Sequence, residues 1–367
     1  MTRIVGEIRE GVARLVSAAG GSPEEIVAAI DDLGVPVVAD IVLAELRHRA
    51  DLGTYTGVEV RFALRHGGDT VSVHLPGEPS GAAPDAVVEQ SLAEVVQGLF
   101  GPRGPRPAAT RVLRWRDLDS REFITDPPPT FAVVRRLLDA IDRPYAAGLA
   151  ELCVRYGSDK WGIHQYPRHY EHHFDAIRDR PLTILEIGVG GYADPGRGGA
   201  SLHMWKRYFP RASVFGLDIT DKSALSEQRL TVLAGDQSSP TDLAEVVAQT
   251  GPLDIVIDDG SHVSAHLLAS FGALFPVLRD GGLYVLEDLQ TSYWPNFGGR
   301  ADVFDDPATS VGFLKQLVDG LNHEDIEGRQ PRATDAAIGG LHFYHNLCFV
   351  EKATNLDGAP PSWIPRS

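Results

Sequence analysis

The 367-residue sequence has few cysteines, few basic residues and no long apolar run. Its two cysteines, Cys153 and Cys348, can support neither a disulfide framework nor a cysteine-rich metal site. Lysine and arginine number 34 against 50 aspartates and glutamates, so nucleic-acid binding is not expected, because phosphate contacts need clustered basic side chains. No stretch approaches the roughly 18–20 consecutive apolar residues that cross a bilayer, and a membrane partner is not expected either.

The remaining composition is typical of a folded protein. Hydrophobic residues make up 43% and charged residues 23% of the chain, and its length predicts two domains. The first 21 residues mix apolar side chains with Glu7, Arg9, Glu10 and Arg14, which indicates an amphipathic helix and not the apolar core of a secretion signal. We therefore expect a cytoplasmic protein.

Residues 1–125 predict a small α+β domain. Helical periodicity over the first 46 residues is followed by two alternating stretches around residues 67–69, which predict an antiparallel hairpin. A helix is then expected over residues 84–100. Proline-rich stretches follow, and residues 126–150 are predicted to form a linker with connecting helices.

Residues 151–367 alternate short apolar segments with helical ones. This order predicts a Rossmann-like, mostly parallel sheet with helices on both faces, in which ligands bind beyond the carboxyl ends of the strands. The expected strands cover residues 182–189, 213–219, 230–236, 253–260, 281–289 and 341–352.

Three of these strand ends carry residues suited to an adenosyl group. Glu186, Gly188 and Gly190 belong to a segment whose small residues allow a close backbone approach, although a simple strand-to-helix turn would look the same. Asp218 ends the next strand, where a carboxylate can accept hydrogen bonds from ribose hydroxyls or cap a helix. Asp236 could accept a hydrogen bond from an adenine amino group or form an Asx turn.

The short glycine loop, with no basic residue near it, favours S-adenosylmethionine over a pyrophosphate cofactor such as NAD. S-adenosylmethionine has no phosphate, and its cationic sulfonium suits acidic neighbours. The sequence therefore predicts six cofactor-binding residues: Glu186, Gly188, Gly190, Asp218, Asp236 and Asp258.

Four carboxylates follow two strands that should be neighbours, in the pairs Asp258–Asp259 and Glu287–Asp288. In a partly dry cleft they would repel one another, and a divalent cation relieves this repulsion; oxygen ligands favour Mg²⁺, Ca²⁺ or Mn²⁺ over Zn²⁺. His262 lies close enough in sequence to act as a base without binding the metal. The alternative is that these residues cap helices or carry solvated loop charges.

Two further groups carry weaker signals. Three aromatic residues after the last acidic pair could form a wall for a bulky apolar substrate or belong to the core: Tyr293, Trp294 and Phe297. A histidine cluster on a predicted helix is interpreted as structural or as part of a cleft wall: His169, His172 and His173.

The motifs LEIGVGGY (185–192), GLDITDKS (216–223), IVIDDGSH (255–262) and GGLYVLEDLQTSYWP (281–295) resemble those of bacterial deoxysugar O-methyltransferases of macrolide and polyketide antibiotic biosynthesis. The resemblance implies a class I S-adenosylmethionine-dependent methyltransferase fold with an auxiliary N-terminal domain. It also implies a Mg²⁺ ion and a glycosylated polyketide substrate. The expected acceptor is a hydroxyl, the 2-OH, of a sugar such as rhamnose or 6-deoxyallose.

By the same resemblance, Asp259, Glu287 and Asp288 match metal ligands and His262 matches the catalytic base. The resemblance further implies a homotetramer whose N-terminal domains help to complete neighbouring active sites. Three other functions stay open: a metal-dependent methyltransferase for an aromatic or catechol hydroxyl, an NAD-dependent oxidoreductase, and a non-catalytic adenosyl-binding module.

Overall fold

A computed structural model describes residues 2–77, 81–105, 109–116, 125, 128–356, 358, 361 and 363–364, with the backbone alone for residues 2–7. The chain forms two compact units. The first comprises Met1–Leu152, Glu171–Pro181 and Lys206–Arg211, and the second comprises Cys153–Tyr170, Leu182–Trp205 and Ala212–Ser367. Within the described residues, no helix combines the length and the apolar character needed to span a bilayer.

The first unit packs helices against a four-stranded sheet in the order β2-β1-β3-β4. Strand β1 is antiparallel to β2 and parallel to β3, and β4 is antiparallel to β3. The strands are β1 (Val60–His66), β2 (Asp69–Leu75), β3 (Ala86–Ser91) and β4 (Val112–Trp115). The helices are α1 (Thr2–Ala18), α2 (Pro23–Leu33), α3 (Val35–Ala50), α4 (Leu92–Phe100) and α5 (Pro129–Asp142).

Local sequence explains where α2 begins. Ser22 accepts a hydrogen bond from the backbone N–H of Glu25, and the Glu25 carboxylate accepts one from the backbone N–H of Ser22, while Pro23 occupies the first helical turn. This reciprocal cap satisfies N–H groups that have no partner inside the helix. The apolar faces of the helices and of the sheet then share one core, which includes Leu15 and Phe62.

The helix predicted over residues 84–100 is wrong in its first half. Residues 86–91 form β3, in which Ala86, Val88 and Gln90 are buried and the residues between them are half-buried. This period of two is the signature of a strand, and α4 begins only at Leu92. Strand β4 was also not expected from the sequence. The predicted boundaries 1–125, 126–150 and 151–367 differ from the compact units, since α5 belongs to the first unit, and as functional boundaries they stay a prediction.

The second unit contains a seven-stranded sheet in the order β10-β11-β9-β8-β5-β6-β7. Strands β5 to β9 run parallel, and β11 is antiparallel to both of its neighbours, so the predicted mostly parallel sheet is confirmed. The strands are β5 (Thr183–Ile187), β6 (Ser213–Asp218), β7 (Leu230–Ala234), β8 (Leu253–Asp258), β9 (Leu278–Leu286), β10 (Ile338–Tyr344) and β11 (Leu347–Lys352).

Six further helices complete the described secondary structure of more than five residues. Three of them lie in the second unit: α9 (Pro240–Thr250), α10 (Ser264–Leu274) and α11 (Ser310–Leu321). The other three have residues in both units: α6 (Leu149–Tyr156), α7 (Pro167–Phe174) and α8 (Ala200–Tyr208).

The single strand predicted over residues 341–352 is instead the hairpin of β10 and β11. Asn346 adopts a left-handed conformation with φ 61° in its turn, a geometry that asparagine tolerates better than most residues. At the centre of the sheet, β5 and β8 are neighbours, and the chain builds outward from them in opposite directions. The strand order reverses at this point, and a crevice is expected at the carboxyl ends of the two strands.

Candidate active site

A cleft of about 760 Å³ lies at the carboxyl ends of β5, β6, β7 and β8. Most of the residues that sequence analysis selected line it: Gly188, Gly190, Asp218, Asp236, Asp259, His262 and Asp288. Glu186, Asp258 and Glu287 are instead buried, each with at most 3% of its surface exposed. The predicted residues therefore form an open set and a buried set.

The glycine loop after β5 fits closely against the end of β8. Gly188 has φ 92°, and a Cβ at this position would lie 2.1 Å from the carbonyl oxygen of Asp259. Only glycine accommodates both the positive φ and the contact. Asp218 fixes the loop from β6, because its carboxylate accepts hydrogen bonds from the N–H of Val189 at 3.1 Å and of Thr220 at 2.9 Å.

Asp236 forms the Asx turn that the sequence left as one alternative. Its Oδ1 accepts hydrogen bonds from the backbone N–H and the hydroxyl of Ser238, both at 2.7 Å. These hydrogen bonds lower the pKa of Asp236 and favour its ionised form. The carboxylate therefore remains an acceptor at the cleft surface.

Gln237 connects two strand ends and was not selected from the sequence. Its Oε1 accepts a hydrogen bond from the N–H of Ser261 at 2.7 Å, and its Nε2 donates to Oδ1 of Asp258 at 3.1 Å. The sequence signal for Gln237 was its position, because this polar residue directly follows the strand predicted over residues 230–236. The amide ties the end of β7 to the loop that follows β8.

Asp258 lies in the interior, where its carboxylate also accepts hydrogen bonds from the hydroxyls of Ser270 and Tyr284. Burial raises the pKa of Asp258, and these hydrogen bonds oppose the rise. Asp258 is the last residue of β8 and is absent from the cleft lining, whereas Asp259, which follows the strand, lines the cleft. The predicted contact between Asp258 and a cofactor is not supported by this placement.

Lys160 lies among three carboxylates at the ends of β5, β8 and β9. Its Nζ is 2.7 Å from Oδ2 of Asp259, 2.6 Å from Oε1 of Glu287 and 3.2 Å from Oε1 of Glu186. The lysine is 1% exposed. The local sequence does not distinguish Lys160 from a surface lysine, because its three carboxylate partners lie far away along the chain.

The charges in this cluster depend on one another. Burial alone would lower the pKa of Lys160, but attraction to Asp259, Glu287 and Glu186 outweighs it, so the pKa is raised and the ammonium stays charged. Burial and the charge of Asp259 raise the pKa of Glu287, and burial likewise raises that of Glu186. The buried carboxylates thus depend on a nearby cation to remain ionised.

A second cluster joins Asp259 to His262 and Asp288, whose ligand atoms lie within 4.8 Å of one another. His262 Nε2 is 3.8 Å from Oδ2 of Asp288. Both His262 and Asp288 have left-handed backbones, with φ 57° and 52°. Such conformations are uncommon outside glycine, although aspartate and histidine adopt them more readily than most residues, and they concentrate at functional sites.

Two aromatic side chains also donate to the acidic strand ends. The Tyr166 hydroxyl donates to Oδ1 of Asp288 at 2.9 Å, and the Tyr170 hydroxyl donates to Oε1 of Glu287. His164 Nε2 lies 3.5 Å from Oδ1 of Asp288. These contacts were not expected from the sequence.

The donor set fits a hard divalent cation. The predicted ligands are divided between two clusters that share Asp259, and their donor atoms are carboxylate oxygens with one nearby imidazole. Within the described part of the chain, no group donates a hydrogen bond to Oδ1 of Asp259 or Oε2 of Glu287. Carboxylate oxygens of this kind are suitable ligands for Mg²⁺.

The remaining candidate residues make ring contacts with other side chains. The ring of His169 stacks on Tyr344 with centroids 3.9 Å apart. Trp294 contacts Phe297 and is 49% exposed, so it is not a core residue. The rings of His172 and His173 contact each other, with centroids 5.0 Å apart.

The sheet order, the glycine loop and the acidic strand ends together define a class I S-adenosylmethionine-dependent methyltransferase with an additional N-terminal domain. Known proteins support this assignment. A family model described as MycE methyltransferase N-terminal matches residues 12–111.

Two curated relatives match nearly the whole chain. The 8-demethyl-8-alpha-L-rhamnosyl tetracenomycin-C 2'-O-methyltransferase of Streptomyces olivaceus is 50% identical over 362 residues, which cover 94% of this chain and 95% of the relative. The mycinamicin VI 2''-O-methyltransferase of Micromonospora griseorubida is 39% identical over 379 residues, which cover 97% and 94%.

A solved structure is equally similar. The MycE methyltransferase from the mycinamycin biosynthetic pathway, in complex with Mg and SAH, matches with a TM-score of 0.91 at 37% identity and covers 98% of this chain and 96% of its own. The chain therefore belongs to the sugar O-methyltransferases of macrolide and polyketide antibiotic pathways. The resemblance read from the motifs is confirmed, and the NAD-dependent oxidoreductase and the non-catalytic module find no support among these relatives.

Proposed function

We propose that the chain transfers a methyl group from S-adenosylmethionine to a sugar hydroxyl of a glycosylated polyketide, with Mg²⁺ as the metal, and that the acceptor is the 2-OH of a deoxysugar such as rhamnose. One observation carries the proposal. A cleft with a glycine loop contains Asp259, His262 and Asp288 with ligand atoms within 4.8 Å of one another, in a chain 50% identical to a rhamnosyl 2'-O-methyltransferase.

The cofactor is expected against the loop after β5. Gly188 and Gly190 carry no side chain that would hinder its approach, and Asp218 and Asp236 offer carboxylate oxygens at the cleft surface. Glu186, buried at the end of β5, adds negative charge near the place where a sulfonium would lie. This arrangement favours a cationic methyl donor.

The metal is expected on Asp259, Glu287 and Asp288. When bound, Mg²⁺ would supply positive charge that makes a neighbouring sugar hydroxyl more acidic. The residues of the chain then fix the reacting groups. The left-handed backbones at His262 and Asp288 hold both side chains at the end of the sheet, so little rearrangement is needed.

His262 is the proposed base. A neutral imidazole can accept the hydroxyl proton as the oxygen attacks the methyl carbon and the thioether leaves. Asp288, 3.8 Å from Nε2 of His262, would stabilise the resulting imidazolium by charge attraction. Removal of the ring should therefore impair the chemical step more than binding.

The first test replaces His262 with alanine. We expect His262→Ala to keep its affinity for S-adenosylmethionine and Mg²⁺ and to lose about 10²–10⁴-fold in turnover, the usual contribution of general-base catalysis. Titration calorimetry measures binding and a single-turnover assay measures methyl transfer. His172→Ala, at an exposed position in the first unit, is the matched control. An unchanged rate for His262→Ala would refute its role.

The acceptor is tested with a panel of substrates. Rhamnosylated polyketides, their free aglycones and sugars already methylated at the 2-position are incubated with enzyme, Mg²⁺ and methyl donor. Mass spectrometry should find one added methyl on the sugar fragment, and none when the 2-OH is blocked. Methylation of a free aglycone would instead favour the aromatic or catechol acceptor, and activity unaffected by a chelator would remove the metal from the reaction.

The proposal also covers the oligomeric state of the protein and its location in the cell. We expect a homotetramer whose N-terminal domains help to complete neighbouring active sites, and light scattering after size-exclusion chromatography will measure its mass. A cytoplasmic location stays a prediction that fractionation of the producing cells can test.

A further inference from the structure

We propose that Lys160 is a positioning residue for the metal site, in that its ammonium fixes the orientation of Asp259 and Glu287 before the ion binds. This inference rests on the proposed metal-dependent function. It concerns a lysine that lies outside every motif on which the methyltransferase assignment depends.

The contact geometry is the first argument. Nζ of Lys160 is 2.7 Å from one oxygen of Asp259 and 2.6 Å from one oxygen of Glu287, and it engages only Oδ2 and Oε1. Within the described residues, the other oxygen of each carboxylate accepts no hydrogen bond. One lysine thus holds two predicted ligands from different strands and leaves each with an oxygen for the ion.

The segment that carries Lys160 is the second argument. Residues 160–170 supply Lys160 to Asp259 and Glu287, Tyr166 to Asp288, and Tyr170 to Glu287. Every predicted metal ligand therefore accepts a hydrogen bond from this one segment. Such outer partners orient the ligands of a metal site, and their loss commonly weakens metal binding 10–100-fold.

The segment is itself fixed by its backbone. The N–H of His164 donates to the carbonyl of Asp159 at 3.1 Å, and the N–H of Tyr166 donates to the carbonyl of Lys160 at 3.2 Å. A bridge between Trp161 and Gln165 closes the same turn. The backbone of Lys160 is therefore held by a defined turn, and its ammonium is placed by the contacts to Asp259 and Glu287.

Charge is the third argument. Glu186, Asp259 and Glu287 place ligand oxygens within 4.8 Å of one another, and Lys160 offsets one of their three negative charges. Without the ammonium of Lys160, repulsion between the carboxylates in a poorly solvated site would drive these side chains apart.

The opposite interpretation is that the ammonium of Lys160 competes with Mg²⁺ for the carboxylates. The two interpretations predict opposite effects on Mg²⁺ affinity when the charge is removed.

The experiment uses Lys160→Met, which keeps most of the side-chain volume and removes the charge. Mg²⁺ binding to the full-length protein is measured by calorimetry, and Mn²⁺ binding by electron paramagnetic resonance. We expect the dissociation constant for Mg²⁺ to rise 10–100-fold, while affinity for S-adenosylmethionine changes by less than about threefold. Unchanged or tighter Mg²⁺ binding would overturn the proposal.

Lys352→Met is the matched control. Lys352 ends β11, in the sheet whose strand ends carry Asp259 and Glu287, and its ammonium donates to the carbonyls of Phe275 and Pro276, both at 3.0 Å. Its loss should leave Mg²⁺ affinity within about twofold of wild type. A tenfold loss in this variant would mean that removal of any lysine from the second unit weakens Mg²⁺ binding, and the role assigned to Lys160 would fail.

A measurement on the wild-type protein covers the case in which Lys160→Met does not fold. In a crystal soaked with Mg²⁺, Nζ of Lys160 should remain within hydrogen-bond distance of Asp259 and Glu287; a displaced lysine would overturn the proposal. If the wild-type protein neither binds Mg²⁺ nor methylates a sugar, the proposed function fails. If it does both and Lys160→Met binds Mg²⁺ equally well, this inference alone fails.

Discussion

The contact between Gly188 and Asp259 makes a quantitative prediction for Gly188→Ala. Alanine at φ 92° suffers the cost of a left-handed backbone, about 1–2 kcal/mol. Its Cβ would also lie 2.1 Å from the Asp259 carbonyl oxygen, whereas Cβ atoms essentially never approach another heavy atom within 3.0 Å. The two strand ends must therefore separate by about 1 Å, and overpacking of this kind costs about 1–3 kcal/mol more.

The displacement should affect catalysis as well as stability. Asp259 is a predicted metal ligand and His262 follows it by three residues, so a shift of about 1 Å changes the geometry of the reaction. Misplacement on this scale can reduce activity roughly 100-fold. We expect Gly188→Ala to lose about 2–5 kcal/mol of unfolding free energy and roughly 100-fold in kcat/KM, measured by urea denaturation and by methyl transfer at saturating Mg²⁺.

Gly281→Ala measures the cost of alanine at a positive φ without the cost of a steric contact. Gly281 also has a positive φ, 77°, but a Cβ added at this position would meet no heavy atom within 4 Å. This variant should lose only about 1–2 kcal/mol and keep its kcat/KM. Equal losses of stability in the two variants, with catalysis unchanged in both, would refute the reasoning.

Two buried ion pairs make further predictions. Burial opposes ionisation of Asp335, but the Arg329 guanidinium, 2.5 Å away, helps to hold the pKa of Asp335 below its usual value. The ion pair therefore stabilises the folded state above about pH 3.8, and this contribution is lost as the pH falls through the folded-state pKa. Asp335→Asn should cost about 1–3 kcal/mol at pH 7 in urea denaturation, with a smaller difference at pH 3. Arg49 pairs with Glu45 at 2.6 Å in the first unit, with both side chains fully buried. Arg49→Met should cost about 3–5 kcal/mol. The double variant Glu45→Met/Arg49→Met should cost less, because no charge stays buried without its partner, although both variants lose the hydrogen bonds from Arg49 to the carbonyls of Leu99 and Pro210. Equal losses would contradict the pairing argument.

The sequence was sufficient to predict the parallel sheet, because buried parallel strands are short apolar runs separated by helical segments. It was less informative where a short apolar stretch suits either structure. Residues 86–91 satisfy a period of two but lie next to a true helix, and the two were predicted as one element. A turn of two residues in the hairpin of β10 and β11 was too short to interrupt the apolar pattern.

The acidic strand ends were predictable for a similar reason, since parallel strands bring their carboxyl ends to one edge. Two adjacent acidic residues at a strand end do not reveal by themselves that Asp258 is buried and Asp259 lines the cleft. Lys160 was beyond reach, because 127 positions separate it from Glu287 and only the folded chain brings them together. Long-range pairs of this kind leave no periodic signal in the sequence.

The position of residues 160–170 has a consequence for the construction of chimeric enzymes. This segment precedes all seven strands of the second sheet, yet it supplies hydrogen bonds to three of their acidic tips. A chimera joined at the start of β5 would combine the strands of one parent with the donors of another. Exchange of sugar specificity between relatives should therefore use a junction upstream of Lys160, so that the tips and their donors are inherited together.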